Sequence, residues 1–218
     1  MKKHCLTLVA LLLSVCSGLY AEEHDFDFSA ECESGQTLYY KITGQNTVDV
    51  TSPYIRMDYP WEDFEKPSGK VVVPATVTHD GKTYTVTGIG DYAFKGCSGI
   101  KTITLPETIT KIGNFAFNRL KNLKEFVFPK GVTSIGSYAF SSGTSLKKIE
   151  LPAALESIGD FAFQDCTGLK TVTFGPNLKT IGDFAFFSCE SLKSVMLPAN
   201  VKIGSFAFDR ATQVGEQK

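Results

Sequence analysis

"IGDFAF" stands at residues 158–163 and returns unaltered at residues 181–186. Variants of the phrase fill 89–94 (IGDYAF), 112–117 (IGNFAF), 135–140 (IGSYAF) and 203–208 (IGSFAF), at intervals of 23, 23, 23, 23 and 22 residues. A fixed period of this size marks a solenoid, in which a unit can bury its apolar face only against its neighbours. Of the 17 Phe and 8 Tyr residues, twelve lie inside the six phrases, so the repeat also carries much of the apolar bulk.

Working upstream from each phrase, a strand pattern recurs. Leu169, Val172 and Phe174 have the spacing L-x-x-L-x-L, repeated by Ile100-Ile103-Leu105, Leu123-Phe126-Phe128, Leu146-Ile149-Leu151 and Leu192-Val195-Leu197. Alternation along a strand turns Val172 and Phe174 inward and Thr171 and Thr173 outward. Pro106, Pro129, Pro152 and Pro198 follow, with Pro176 displaced by one residue. Proline lacks the amide a strand needs, so each one ends pairing and turns the chain toward the opposite face.

Inside the phrase the glycine (90, 113, 136, 159, 182, 204) never varies among the copies. That constancy requires either a positive φ or an approach too close for a Cβ. Asp91, Asn114, Ser137, Asp160, Asp183 or Ser205 comes next. These residue types cap helices, so the pattern predicts a short helical turn carrying an aromatic residue, Ala and Phe. The Ala is expected where neighbouring coils touch. Phe94, Phe117, Phe140, Phe163, Phe186 and Phe208 are expected to stack as an inner spine.

The whole pattern, L-x-x-I-x-L-P…I-G-x-x-A-F-x-x-C, resembles the BspA-type leucine-rich repeats of bacterial surface proteins over about residues 70–214. The upstream "VVVPATVTHDGKTYTVTGIGDYAF" is similar to that family's first coil, with Val71, Val73 and Pro74 as its strand and Asp80-Gly81 as the turn of an inserted hairpin. The resemblance implies an α/β solenoid with parallel strands on a concave face and short helical turns opposite. It also implies adhesion to host matrix proteins or other cells.

The ends differ from the array. Residues 1–21 read as a signal peptide, with Lys2 and Lys3 ahead of an apolar run, Leu6 to Val15, that is short for a membrane span. Cleavage after Ala21 is preferred, and a lipid anchor on Cys16 is the alternative, poorly matched by Val15. Residues 22–69 form a leader and β cap: an acidic, solvated segment (EEHDFDFSAECE), a hairpin over 38–51, and an aromatic loop over 52–69. That loop carries Tyr54, Met57, Tyr59, Trp61 and Phe64. It reads either as a lid on the first coil or as a stacking platform for a glycan. The solenoid of six coils runs over 70–214 and residues 215–218 form a tail. The last coil lacks a recognisable cap, which makes end-to-end self-association an expectation.

Composition narrows the function. The formal charge of −1 becomes −3 without residues 1–21, because two of the 22 Lys and Arg leave while all 23 Asp and Glu stay. No basic excess points to nucleic acid. Cys97, Cys166 and Cys189 each lie eight residues after the Ile of their phrase, a slot held elsewhere by Leu120, Gly143 and Ala211. Such a slot is a packing position, and free buried thiols are expected there, although export also favours disulfides. His24 lies in the acidic leader, and Cys32 with His79 is the one conceivable thiol–imidazole pair, with no orienting third group. The acidic leader lacks a calcium-loop pattern. The expected protein is therefore non-catalytic, with no cofactor and no metal.

What remains is surface. Thr102 and Thr104, Glu125 and Val127, Lys148 and Glu150, Thr171 and Thr173, and Ser194 and Met196 are the outward strand positions, varied where the core slots are constant. They form the candidate site for an extracellular protein partner. Beside them run Lys101, Lys124, Lys147, Lys170 and Lys193, either a solvated edge or a stripe for an acidic partner. Phe187 is a further contact candidate, since its slot otherwise holds polar residues.

Overall fold

The rails that join one coil to the next are backbone hydrogen bonds. The structure, a computed structural model, describes residues 24–54 and 60–217; residues 1–21, read above as a signal peptide, lie with Cys16 outside the described residues, as do Met57 and Tyr59. The N-terminal strands β1 (Phe28–Glu31), β2 (Thr37–Ile42) and β3 (Thr47–Thr51) pair antiparallel in sequence order. Next come β4 (Gly69–Val72), β5 (Thr76–His79) and β6 (Lys82–Ile89), and β5 and β6 form the expected hairpin. Asp80 (φ 49°) and Gly81 (φ 75°) both take the left-handed backbone that a tight hairpin turn requires.

The coils add β7 (Ile100–Thr104), β8 (Lys111–Ile112), β9 (Ser134–Ile135), β10 (Lys148–Glu150) and β11 (Ser157–Ile158). Then follow β12 (Thr171–Thr173), β13 (Thr180–Ile181), β14 (Ser194–Leu197), β15 (Lys202–Ile203) and β16 (Gln213–Glu216). The long sheet runs β1-β2-β3-β6-β8-β9-β11-β13-β15 and passes through the Ile that opens each phrase. From the second phrase on, each following glycine N–H donates to the preceding coil's Ile carbonyl, as from Gly136 to Ile112 at 2.8 Å and from Gly113 to Ile89 at 2.7 Å, while Gly90 donates to the Val50 carbonyl. The leucine-rich strands were expected to lie parallel on a concave face, and the pairs they form are parallel. They pair in separate patches: β4 with β7, β10 with β12, and β14 with β16. One break falls at residues 123–128, where Phe126 packs edge-on against the spine rings of Phe117 and Phe140 and against Phe128.

Among the described residues the chain forms no helix, so the predicted helical turns are corrected. The first aromatic of each phrase lies in the left-handed region: Tyr92 (60°), Phe115 (55°), Tyr138 (57°), Phe161 (58°), Phe184 (55°) and Phe206 (52°). A right-handed helix cannot propagate through such a residue. The turn amides bond sideways instead, from Phe117 to the Ala139 carbonyl and from Phe140 to that of Ala162, both at 2.7 Å. The presumed caps do the same. Asp160 Oδ1 accepts from the Asp183 N–H at 2.8 Å, and Asn114 Oδ1 accepts from the Ser137 N–H at 2.8 Å. The glycine serves close approach, not positive φ: a Cβ on Gly159 would lie 2.6 Å from the Ser137 nitrogen and 2.7 Å from the Gly136 carbonyl carbon.

The expected spine is present. Phe94, Phe117, Phe140, Phe163, Phe186 and Phe208 stack in order at centroid distances of 5.5, 5.1, 5.1, 4.9 and 5.2 Å. All but Phe208 are buried. A second, half-exposed column forms from the first aromatics of the phrases, for example Tyr138 on Phe161 at 4.6 Å and Phe161 on Phe184 at 5.0 Å.

Two further expectations change at the ends. The acidic leader is not a solvated segment: Phe28–Glu31 is a sheet strand, Asp25 pairs with Lys41 at 2.5 Å, and His24 stacks on Tyr54 at 5.2 Å. Gly215 and Glu216 are not a tail. They complete β16, which pairs Val214 with Val195 and Glu216 with Leu197.

Candidate binding surface

The outward strand positions lie as two rows across the coils. Thr102, Glu125, Lys148, Thr171 and Ser194 form one, and Thr104, Val127, Glu150, Thr173 and Met196 form the other; all ten are exposed. Between them Ile103, Phe126, Ile149, Val172 and Val195 are buried, as strand alternation requires. Lys148 stands beside Thr171 and Glu150 beside Thr173 across the β10–β12 pairing. Lys148 Nζ meets Glu150 Oε1 at 2.5 Å, and this bond to the ammonium holds the Glu150 carboxyl below its usual range. Val127 is 80 % exposed and Met196 52 %, so the second row carries two apolar residues open to solvent. A Cβ on Gly215 would lie 2.6 Å from Met196 Sδ, which places Met196 against the last strand.

The other candidates fall elsewhere. Lys101, Lys124, Lys147, Lys170 and Lys193 are all exposed, in register one coil apart. Phe187 is half-buried, edge-on to Phe184 at 5.5 Å, and lines a cleft at the last coil with Phe206 and Phe208. Trp61 is 2 % exposed and packs edge-on to Tyr39 at 5.7 Å. A stacking platform needs an open ring face, which Trp61 does not present, so glycan stacking on this residue is not carried forward. Phe64 and Tyr54 join His24 and Tyr39 in the same aromatic cluster.

The Cys32 thiol lies 3.0 Å from Ser34 Oγ, and His79 stacks flat on Phe28 at 4.3 Å. Cys97, Cys166 and Cys189 are buried and free. Burial pushes the Cys166 thiol up to about 12 and raises those of Cys97 and Cys189 as well, and Cys166 Sγ donates to the Phe140 carbonyl at 3.3 Å. Among the described residues no group of His, Cys, Asp and Glu is placed to hold a metal ion. No helix of the described residues is long and apolar enough to cross a membrane.

One feature escaped the sequence reading. Pro60, Trp61, Glu62, Lys66, Lys95, Gly96, Ser98, Arg119 and Lys121 line a cleft of about 400 Å³. Its cations come from the aromatic loop and from the turns of two coils, so they share no repeat position.

A family model described as a BspA type leucine-rich repeat region matches residues 84–215 in six copies. The chain belongs to the BspA-type leucine-rich repeat family. No curated protein matches it. Among solved structures, this BspA-type chain is similar to a leucine-rich repeat protein from Bacteroides ovatus, at 29 % identity over 83 % of this chain and 51 % of that one, with a TM-score of 0.60. It is also similar to the T. pallidum leucine-rich repeat protein (26 %, 78 % and 85 %, TM-score 0.59). A third likeness is to the pneumococcal vaccine antigen PcpA (25 %, 89 % and 51 %, TM-score 0.64). The chain spans about half the length of the first and third of these proteins. BspA-type arrays of this kind point to a protein-binding or adhesion scaffold, in general without catalytic function.

Proposed function

We propose that this BspA-type array acts outside the cell as a non-catalytic scaffold, adhering to extracellular-matrix proteins or to other cells through its exposed strand rows. In this reading residues 1–21 direct export and residues 22–69 cover the first coil. The observation that supports it most is the contrast within each strand. Ile149 and Val172 are fixed in the core, while Lys148, Glu150, Thr171 and Thr173 stand in solvent and vary from coil to coil. Such a surface changes its partner without disturbing its fold. Val127 and Met196 supply the apolar contacts that stable interfaces concentrate near their centres.

The test is binding of the purified chain to immobilised, purified extracellular-matrix proteins. Val127→Glu with Met196→Glu is expected to weaken the bound partner at least tenfold, because exposed positions change the surface and spare the core. Unchanged affinity in that double variant, or no binding to any matrix protein, rejects the reading. A second mode, end-to-end association of two copies, is favoured by the last coil. Ile203 is 48 % exposed, Phe206 56 % and Val214 47 %, whereas Ile181 one coil earlier is 2 % exposed.

A further inference from the structure

The cleft beside Trp61 gathers four cationic side chains, Lys66, Lys95, Arg119 and Lys121, against one carboxylate, Glu62. The chain as a whole has a formal charge of −1, so this concentration is local. Lys95 is held in place there, its ammonium 5.3 Å from the Tyr92 ring centroid and 5.0 Å from that of Phe115. Arg119 and Gly96 occupy equivalent left-handed turn positions in adjacent coils, with φ of 63° and 73°. Their amides are used up in the ladder, donating to the Ser141 and Asn118 carbonyls, so recognition falls to the side chains.

A second observation points the same way. The Trp61 indole N–H is buried and no described residue accepts from it. A buried donor without a partner is destabilising, and Trp61 is among the residues that line the cleft. We propose that this cleft binds a phosphate or sulfate group, free or esterified to a sugar. The chemistry fits that class better than a carboxylate. A phosphate or sulfate ester offers three terminal oxygens, whereas a carboxylate offers two, and the donors here are a planar guanidinium fork and several ammonium groups. Arginine in particular reads such groups through paired N–H donors. The site lies on the loop and turn side of the first coils, apart from the strand rows, so it stands or falls independently of the adhesion surface.

Trp61 is the single tryptophan of the chain, which makes its emission a direct reporter of the cleft. The experiment titrates the full chain with inorganic phosphate and, separately, with a sulfated disaccharide, in 50 mM and 500 mM salt. A saturable change in emission is expected, weakened at least tenfold at the higher salt as screening requires. Arg119→Gln with Lys121→Gln, both at exposed positions, is expected to raise Kd at least tenfold with the unfolding midpoint unchanged. Lys147→Gln with Lys170→Gln, in the lysine column, leaves Kd within twofold. Tighter binding of the disaccharide than of phosphate assigns the group to a sugar ester, and equal binding assigns recognition to the anion alone. The proposal is overturned by a flat titration with both probes, by wild-type affinity in the Arg119 and Lys121 variant, or by equal losses in the two double variants.

Discussion

Replacing Phe163 by Ala tests the stacked spine at its centre. The ring is fully buried, lying 5.1 Å from Phe140 and 4.9 Å from Phe186 and nearly parallel to both. Loss of its burial removes about 1.5–3 kcal/mol. Two ring contacts add about 0.5–1.5 kcal/mol each. The total agrees with the roughly 3–5 kcal/mol usual for truncating a buried Phe. Phe208 is half-buried and stacks on one neighbour, Phe186, at 5.2 Å, so its truncation is expected to cost about half as much. Urea unfolding of both variants by circular dichroism gives the comparison. Trp61 adds a probe at the N-terminal end, because a solenoid is held by nearest-neighbour contacts. A gap at coil 163 should separate the fluorescence transition from the dichroism transition, whereas the wild type should show one. If Phe163→Ala does not fold, Phe163→Leu, which keeps most of the volume, ranks against Phe208→Leu in the same way. Equal losses at 163 and 208 would refute the argument that each ring is a wall of its neighbour's core.

Gly159→Ala should destabilise by about 1–3 kcal/mol in the same assay, because the new Cβ meets backbone atoms that cannot yield. Gly131→Ala, whose nearest atom is 3.7 Å away, should be neutral or slightly stabilising. Alkylation at pH 8 should leave Cys166 unmodified in the folded chain and label it in urea, since only the thiolate reacts. Burial raises the Cys166 pKa from 9.0 to about 12, so the stability held by its neutral form is complete below pH 9 and lost as pH rises toward about 12. Unfolding midpoints measured across that range should fall for wild type and fall less for Cys166→Ala. Sedimentation at rising concentration should reveal a dimer that Ile203→Lys with Phe206→Glu abolishes, and a monomer throughout would remove the end-to-end mode.

The spine was legible because its cause is periodic. Phe163 recurs 23 residues from Phe140 and from Phe186, and only stacking satisfies all copies at once. The turn conformation was not. Asp160 before Phe161 carries the same residue signature as a helix cap, and local propensity favours the helix. The competing term is lateral: the Asp183 amide and the Ala185 carbonyl are presented by the next coil, and those bonds exist only once coils are stacked. The long sheet through Ile112, Ile135 and Ile158 was missed for a related reason, since strands of two residues leave too short an alternation to read. The constant Ile before each constant Gly was the available signal.

The same division explains why the candidate surfaces differ in how far sequence could reach. The strand rows inherit the period, so Lys148 and Thr171 were assigned to one face by counting alone, and the structure pairs them. The cationic cleft has no period. Lys66 comes from the loop that precedes the array, while Lys95, Arg119 and Lys121 occupy non-equivalent turn positions of two coils. A site built where a repeat meets a non-repeating segment draws residues from both, and neither pattern predicts the other. Specificity can arise at that junction without altering any slot the stack depends on. The inner columns set how coils pile up, and the junction and the outer rows stand outside that stack.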